Sequence, residues 1–352
     1  MMFSARRWKS AHPAVSSLSV VPGGWGNPMN DRRRCIRSLC SGLLVASLAV
    51  RAQPVTRTRR IGVLSPGPAA AAEFEEIARM MRAFGWIDGK NFSVESRSAD
   101  ATLGRLRSLA DELVALKVDV LVTYGTDAAH AAKGATTTTP IVMASSGDPV
   151  SAGLVASLAQ PGGNITGYSY LTPEIVQKLA AVLHEMLPTV RRVCVLINPV
   201  GRASESARKA RESAYRSLGL QPFLIEVATE SQFLSALAQA SRQRVEALDF
   251  ALLSMPMPDA LMQAVRRSRL PAMVSDQEDV EAGGLMSFTP DLSDGYQRVA
   301  ATIDKVLRGA KPADLPVEQP TRFALVVSLR VAKELGITVP QAILVRADKV
   351  IE

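Results

Sequence analysis

The feature that most constrains this chain is a beat it plays twice. From Arg59 onward, short β-branched runs alternate with helical stretches: Ile61-Gly62-Val63-Leu64 leads to a helix over 72–84, and Phe92-Ser93-Val94-Glu95 leads to one over 103–117. In that second helix Leu103, Leu106, Leu113 and Leu116 recur on one face. Further apolar runs over 118–124, 141–144 and 165–168 are bounded by Gly, Pro or Ser, the pattern of parallel strands buried on both faces. Strand-like runs begin near 61, 92, 118, 140 and 165, and again near 193, 222, 248, 271 and 285. The first three intervals of the two sets match within a couple of residues at an offset of about 130. Repeated β-α units of this length specify parallel sheets with right-handed crossovers. Two sets specify an α/β chain of two doubly wound lobes with five strands each.

A helix over 292–308 follows, and Lys311-Pro312-Ala313-Asp314-Leu315-Pro316 breaks the chain before a last apolar run and helix. That tail is free to cross back between lobes, and several crossings make a hinge. The expected organisation is one lobe from 58–169 with 291–312 and another from 170–290 with 313–352.

Charge narrows the function. The chain of 352 residues carries a net charge of +8, yet eight of its 41 Lys and Arg, against one acid (Asp31), lie in residues 1–52. The remainder is nearly neutral and has no basic field for a phosphate backbone, which argues against nucleic acid as a partner. The excess has another reading. Arg32-Arg33-Arg34-Cys35-Ile36-Arg37, the apolar run over 39–50 and Val50-Arg51-Ala52 form the n-region, h-region and cleavage site of a secretory signal peptide. The run is too short for a membrane span of about 20 residues. We read 29–52 as a cleaved Sec-type signal starting at Met29, 1–28 as an upstream mis-called start, and the periplasm as the destination. Cys35 and Cys40 leave with that leader; Cys194, inside Val193-Cys194-Val195-Leu196-Ile197, reads as a small buried hydrophobe.

Several chemistries lack their motifs. There is no P-loop, no G-x-G-x-x-G after the first strand and no G-x-S-x-G elbow. His130 and His184 stand apart without metal-ligand spacing, and His184 is expected in solvent. No cofactor and no metal are expected, and an enzyme has no support.

In open parallel sheets, ligands sit beyond the carboxyl ends of the strands. The residues placed there are Ser65, Tyr124, Gly125, Thr126, Ser146, Asp148 and Tyr168 in the first half, and Asn198, Met255, Gln277 and Glu278 in the second. Gly125-Thr126 opens a helix whose amides and dipole can receive a carboxylate, and Asp148 can pair with an ammonium. Each is equally a cap or turn residue; the convergence of seven loops on one edge carries the argument.

Several runs resemble a known family. They are Gly147-Asp148-Pro149-Val150, then Gly153-Leu154-Val155-Ala156-Ser157-Leu158, then Pro161-Gly162-Gly163-Asn164-Ile165-Thr166-Gly167. Gly85-Trp86, Gly89-Lys90-Asn91, Glu281-Ala282-Gly283-Gly284-Leu285-Met286-Ser287 and the tail from Gly309 to Glu352 add to them. Over about residues 58–352 the chain resembles the ABC transporter substrate-binding proteins, a group with tryptophan- and tyrosine-binding members. The resemblance implies a type I periplasmic-binding-protein fold with three hinge crossings, a small solute such as an amino acid or related carboxylate held between the lobes, and delivery to an ABC transporter permease. It carries binding roles best onto Thr126 and Asp148. Two departures stand at the expected cleft: Tyr124, where relatives usually have glycine, and Val274-Ser275-Asp276-Gln277-Glu278-Asp279, where many have an aromatic-containing segment. They put an aromatic amino acid in question and point to a more polar or cationic solute. A ligand-presenting sensor and an enzyme using the same cleft remain the alternatives.

Overall fold

The computed structural model describes residues 57–352 apart from 69, 200–203, 254 and 256; the expected leader and the segment before it lie outside the described residues. The first sheet holds β1 (Arg59–Ser65), β2 (Phe92–Ser98), β3 (Val120–Tyr124), β4 (Ile141–Ser145) and β5 (Ile165–Gly167). All are parallel, in the order β2-β1-β3-β4-β5. Between them run α1 (Ala70–Met81), α2 (Leu106–Ala115) and α3 (Gly125–Ala135).

Alternation along the strands builds a core on each face. Ile61, Val63, Val120, Val122 and Val142 face Phe74, Ile77 and Met81 of α1. Leu64, Leu121, Ile141 and Met143 face the leucines of α2 and the alanines of α3. The spacing of Ala70, Phe74, Ile77 and Met81 makes α1 amphipathic and lays its apolar stripe on the sheet.

The second sheet holds β6 (Arg192–Ile197), β7 (Gln221–Glu226), β8 (Ala247–Asp249), β9 (Ala272–Val274), β10 (Met286–Pro290), β11 (Phe323–Ser328) and β12 (Lys349–Ile351). Its order is β12-β11-β10-β9-β8-β6-β7. With β11 and β12 set aside, this is the first sheet's order with every label advanced by five. Helices α4 (Pro173–Met186), α5 (Ser204–Ser217), α6 (Glu230–Arg242), α7 (Asp259–Ser268) and α8 (Gln277–Ala282) belong to this half. After β10 come α9 (Leu292–Leu307), α10 (Leu329–Leu335) and α11 (Gln341–Arg346).

The α/β class and the two doubly wound lobes expected from the repeat are those observed. The count of five strands per lobe is corrected for the second lobe, where the tail adds two. β11 runs antiparallel to β10, with Met286 opposite Val327, and Phe288 stacks on Phe323 at 5.0 Å. The added strands cover what would otherwise be an unpaired edge of β10. Cys194 is fully buried, and burial pushes its thiol up to about 12, which keeps it protonated and inert.

The chain passes between the two sheets three times: after β5, after β10 and after α9. Helix α9 returns to the first lobe, where Val299, Ala300, Ile303 and Val306 join the α1-side core. The tail stays with β5 through Glu318: Thr166 Oγ1 donates to the Leu315 carbonyl (2.7 Å), and Glu318 N donates to that of Gly167 (2.8 Å). The crossings are tied to one another. Arg298 donates to Asp294 (2.8 Å), Glu318 (2.8 Å) and Thr321 (2.8 Å); Gln319 Nε2 donates to Thr172 Oγ1 (2.9 Å), and Asp291 N to the Arg322 carbonyl (3.0 Å). At the start of the first crossing Gly167 has φ +133°, and a Cβ there would collide with the Met143 backbone, so only glycine fits.

Candidate cleft between the lobes

The parallel order puts the carboxyl ends of β1, β3, β4 and β5 side by side on one rim. Ser65 is buried and its hydroxyl donates to the Gly67 carbonyl (2.8 Å), closing the turn into α1. Gly125 has φ +79° and begins α3, and its N–H donates to Ser145 Oγ (3.3 Å). Thr126 Oγ1 accepts from Gly147 N (3.2 Å), and Ser169 Oγ donates to the Gly147 carbonyl (2.6 Å). Thr126 therefore locks the loop after β3 to the loop after β4. Asp148 accepts from the amides of Val150 (3.0 Å) and Ser151 (3.1 Å) and from the Ser151 hydroxyl, which makes it the cap of its own turn.

Three hydroxyls of this rim are buried without a hydrogen-bond partner: those of Tyr124, Ser146 and Tyr168. Tyr168 packs its ring on Gly295 at the start of α9, where a Cβ would lie 3.2 Å from the ring. Burial holds both phenols well above the usual tyrosine range; for Tyr124 the carboxylate of Glu73 and the phenol of Tyr296 push in the same direction.

The opposite rim is built by β6, β8, β9 and α5. Arg211 of α5 is only 4% exposed, and its Nη2 donates to the Leu252 carbonyl (3.3 Å) on the loop after β8. Asp249, the last residue of β8, is 5% exposed and accepts from the Tyr215 hydroxyl (2.7 Å) and the Ala251 amide (3.0 Å). Burial pulls the Arg211 guanidinium down and pushes the Asp249 carboxyl up, and each acts against the shift of the other. Their charges are thus coupled without a direct ion pair.

Asn198 follows β6, and Met255 packs partly buried against the α6–α8 side of the core. Gln277 and Glu278 are exposed in the first turn of α8, and the Gln277 amide reaches along the helix to Glu281 (2.9 Å), which also holds Lys349 of β12 (2.9 Å). The acidic segment thus has its Gln277 side chain engaged at the β12 edge. His184, expected in solvent, is instead half-buried with its Nδ1 shielded and unpartnered.

The first crossing brings the rims together. Burial holds the Tyr170 phenol above the usual tyrosine range, with the Glu73 carboxylate of the first lobe adding to the shift and the Arg211 guanidinium of the second opposing it. Tyr170 and Tyr296 both pack on the cluster that contains Phe74, Tyr124 and Tyr168. Beside this, a cavity of about 390 Å³ opens between the 147–151 loop of the first lobe and the α4 and α5 helices of the second. Asp148, Leu171, Gln177, Ser206 and Ser213 line it. That volume accommodates a small solute, and its α5 wall is the helix that carries Arg211. Among the described residues no group of carboxylate, imidazole and thiol side chains is arranged to hold a metal.

Glu73, Tyr170, Arg211, Asp249 and Tyr296 escaped the strand-end reasoning. Four of them are helix or crossing residues, and Glu73 and Arg211 read in sequence as ordinary charges of amphipathic helices. The available signal was Tyr170 itself, two residues beyond a strand end already in view.

The chain matches the model of the ABC transporter substrate binding proteins over residues 61–351. It belongs to that family. A tyrosine-binding protein of Clostridioides difficile (strain R20291) is 27% identical to it over 242 residues, 66% of this chain and 67% of the relative. An ABC domain from Streptococcus pneumonia, solved in complex with L-Trp, is similar with a TM-score of 0.72 and 27% identity, covering 84% of this chain and 100% of that one. A conserved domain protein from Vibrio cholerae gives 0.73 and 26% over the same shares. The fold is the type I periplasmic-binding-protein fold, and the family is one of solute binders rather than enzymes. Among the described residues no helix is long and apolar enough to cross a membrane.

Proposed function

We propose that this family member is the exported receptor of an ABC importer: it captures an amino acid or related small carboxylate between its lobes and passes it to a permease in the inner membrane. The observation that supports this best is Arg211. A guanidinium with five donors, almost wholly buried at the cleft edge and donating to a single backbone carbonyl among the described residues, suits a carboxylate. The relatives that bind tyrosine and L-Trp agree with this class, as does the basic, apolar leader of the sequence with export. Binding works by population shift, the solute favouring the lobe arrangement in which it touches both rims.

A thermal-shift screen of the protein against amino acids, their deaminated carboxylates and polyamines tests the reading. A carboxylate at a hundredfold excess over its Kd stabilises the native state by about 2.7 kcal/mol, and Arg211→Met removes the shift. A stabilising compound that is consumed on incubation, or a hit unaffected by Arg211→Met, contradicts it.

A further inference from the structure

We infer that the open edge of β7 is a self-association surface: two copies of this chain join their second lobes by pairing β7 antiparallel with itself, centred on Leu224.

The described strands end in four sheet edges, at β2, β5, β12 and β7, and three of them are guarded. The tail covers β5, with Glu318 N donating to the Gly167 carbonyl (2.8 Å) and Val317 N to that of Leu158 (2.8 Å). β2 carries Glu95 and Arg97, and Arg97 is also tied to Glu112 (3.0 Å). β12 is three residues long and begins with Lys349. β7 is different. Its run Gln221-Pro222-Phe223-Leu224-Ile225-Glu226 is apolar from Pro222 to Ile225, and each of those four residues is partly exposed. Phe223 and Ile225 lean on the α6–α7 core and Leu224 on the α4–α5 core. Both faces of this edge therefore end in half-covered apolar side chains.

Register decides what the edge can accept. Gln221 and Val227 donate their N–H groups to the carbonyls of Arg191 (2.7 Å) and Ile197 (2.9 Å), on the β6 side. Backbone direction alternates along a strand, so the backbone groups of Pro222, Leu224 and Glu226 face the open side. A copy related by a two-fold axis at Leu224 then sets Leu224 against itself, each N–H donating to the other's carbonyl. The Glu226 N–H of each copy donates to the Pro222 carbonyl of the other. Pro222 has no N–H to return, so the Glu226 carbonyl stays with water. The side chains match in the same register. Phe223 lies across from Ile225 of the copy, an aromatic–β-branched pair, and Leu224 lies across from Leu224. The two Glu226 side chains stand at opposite ends, roughly 14 Å apart along the strands, so no like charges meet. β6 separates β7 from β8, and the pairing leaves the Asp249 strand untouched. One strand edge is a small interface, and the dimer is expected to form and dissociate with concentration.

The test is sedimentation velocity of the full chain over a wide range of concentration, without solute. We expect a reversible monomer–dimer equilibrium. Leu224→Pro deletes the central outward N–H and should raise the dimer dissociation constant at least about tenfold. Val350→Lys, at an exposed position on the β12 edge, should leave it unchanged. Cross-linking tests the register separately. In a background of Cys35→Ser and Cys40→Ser, Leu224→Cys should form an intermolecular disulfide under mild oxidation, because the paired Cα atoms lie about 5.5 Å apart. Glu226→Cys should not. Where melting curves show Leu224→Pro to be unfolded, the cross-link alone decides. A wild type that stays monomeric at every concentration, a dimer indifferent to a folded Leu224→Pro, or a cross-link through Glu226→Cys in place of Leu224→Cys overturns the pairing.

Discussion

The two lobes share a strand order and differ in how they treat the polar groups on their rims. In the first lobe the buried hydroxyls of Thr123, Tyr124 and Ser146, with that of Tyr168 at its edge, have no hydrogen-bond partner; in the second the only such hydroxyl among the described residues is that of Ser287. The second lobe pairs the polar groups at the end of β8, where Tyr215 and Ala251 donate to Asp249 and Arg211 donates to Leu252, and leaves His184 Nδ1 and Arg192 Nε buried without a partner elsewhere. An unmet buried hydroxyl costs about 1–3 kcal/mol, so the first lobe holds polar capacity that its own fold does not use. One topology thus serves as a socket on one side and a braced wall on the other.

The largest expected effect attacks the brace. Asp249→Ala strands the Tyr215 hydroxyl and leaves the Arg211 charge without its opposite, and should cost about 3 kcal/mol of stability in chemical denaturation. A loss below about 1 kcal/mol would show that the wall is not internally braced, and the contrast between lobes would fail.

Next in size is an exception within the second lobe. Asp279 is 8% exposed, and burial, with Asp276 and Glu278, pushes its carboxyl up to about 6. Because the folded value lies above the unfolded one of 3.8, the charge destabilises the fold above pH 6, and the penalty fades as pH falls from about 6 toward 4. Asp279→Asn should therefore raise stability by about 2 kcal/mol at pH 8 and by nothing measurable near pH 4, read from melting curves across that range. A gain that does not vary with pH would assign the effect to packing instead.

The smallest effect sharpens the socket. Tyr124→Phe removes a buried hydroxyl with no partner, so the unliganded protein should be unchanged or more stable by up to about 1 kcal/mol. The same change in Tyr215→Phe, which deletes a made bond to Asp249, should be destabilising. If the two variants shift the melting temperature in the same direction, the rims do not differ as described.

Much of the fold was legible because each strand is a short apolar run closed by Gly, Pro or Ser and because the spacing recurs. What escaped was β11, whose run Phe323-Ala324-Leu325-Val326-Val327 was visible as apolar but whose antiparallel pairing with β10 depends on a crossing that local patterns do not encode. At the rim, Ser65, Thr126 and Asp148 stand at the strand ends where the rule put them, yet their hydrogen bonds serve turns and loop junctions. Glu73 and Arg211, whose charges the strand-end rule did not reach, sit inside helices. A charge one position off an apolar stripe looks the same whether water or a second lobe lies opposite, and only the tertiary arrangement decides. Gln277 shows the converse, since a strand-end position guaranteed its neighbourhood without fixing the direction of its side chain.

The laced crossings carry a mechanical consequence. Three links joined to one another by Arg298, Gln319 and the Asp291–Arg322 contact behave as a ribbon, which twists about its length far more readily than it shears. Relative motion of the lobes then reduces largely to one angle. Tyr170 stands on that ribbon, so a push against it acts close to the fulcrum. Its lever arm is short, and a small displacement beside Tyr170 becomes a long arc at the outer rims.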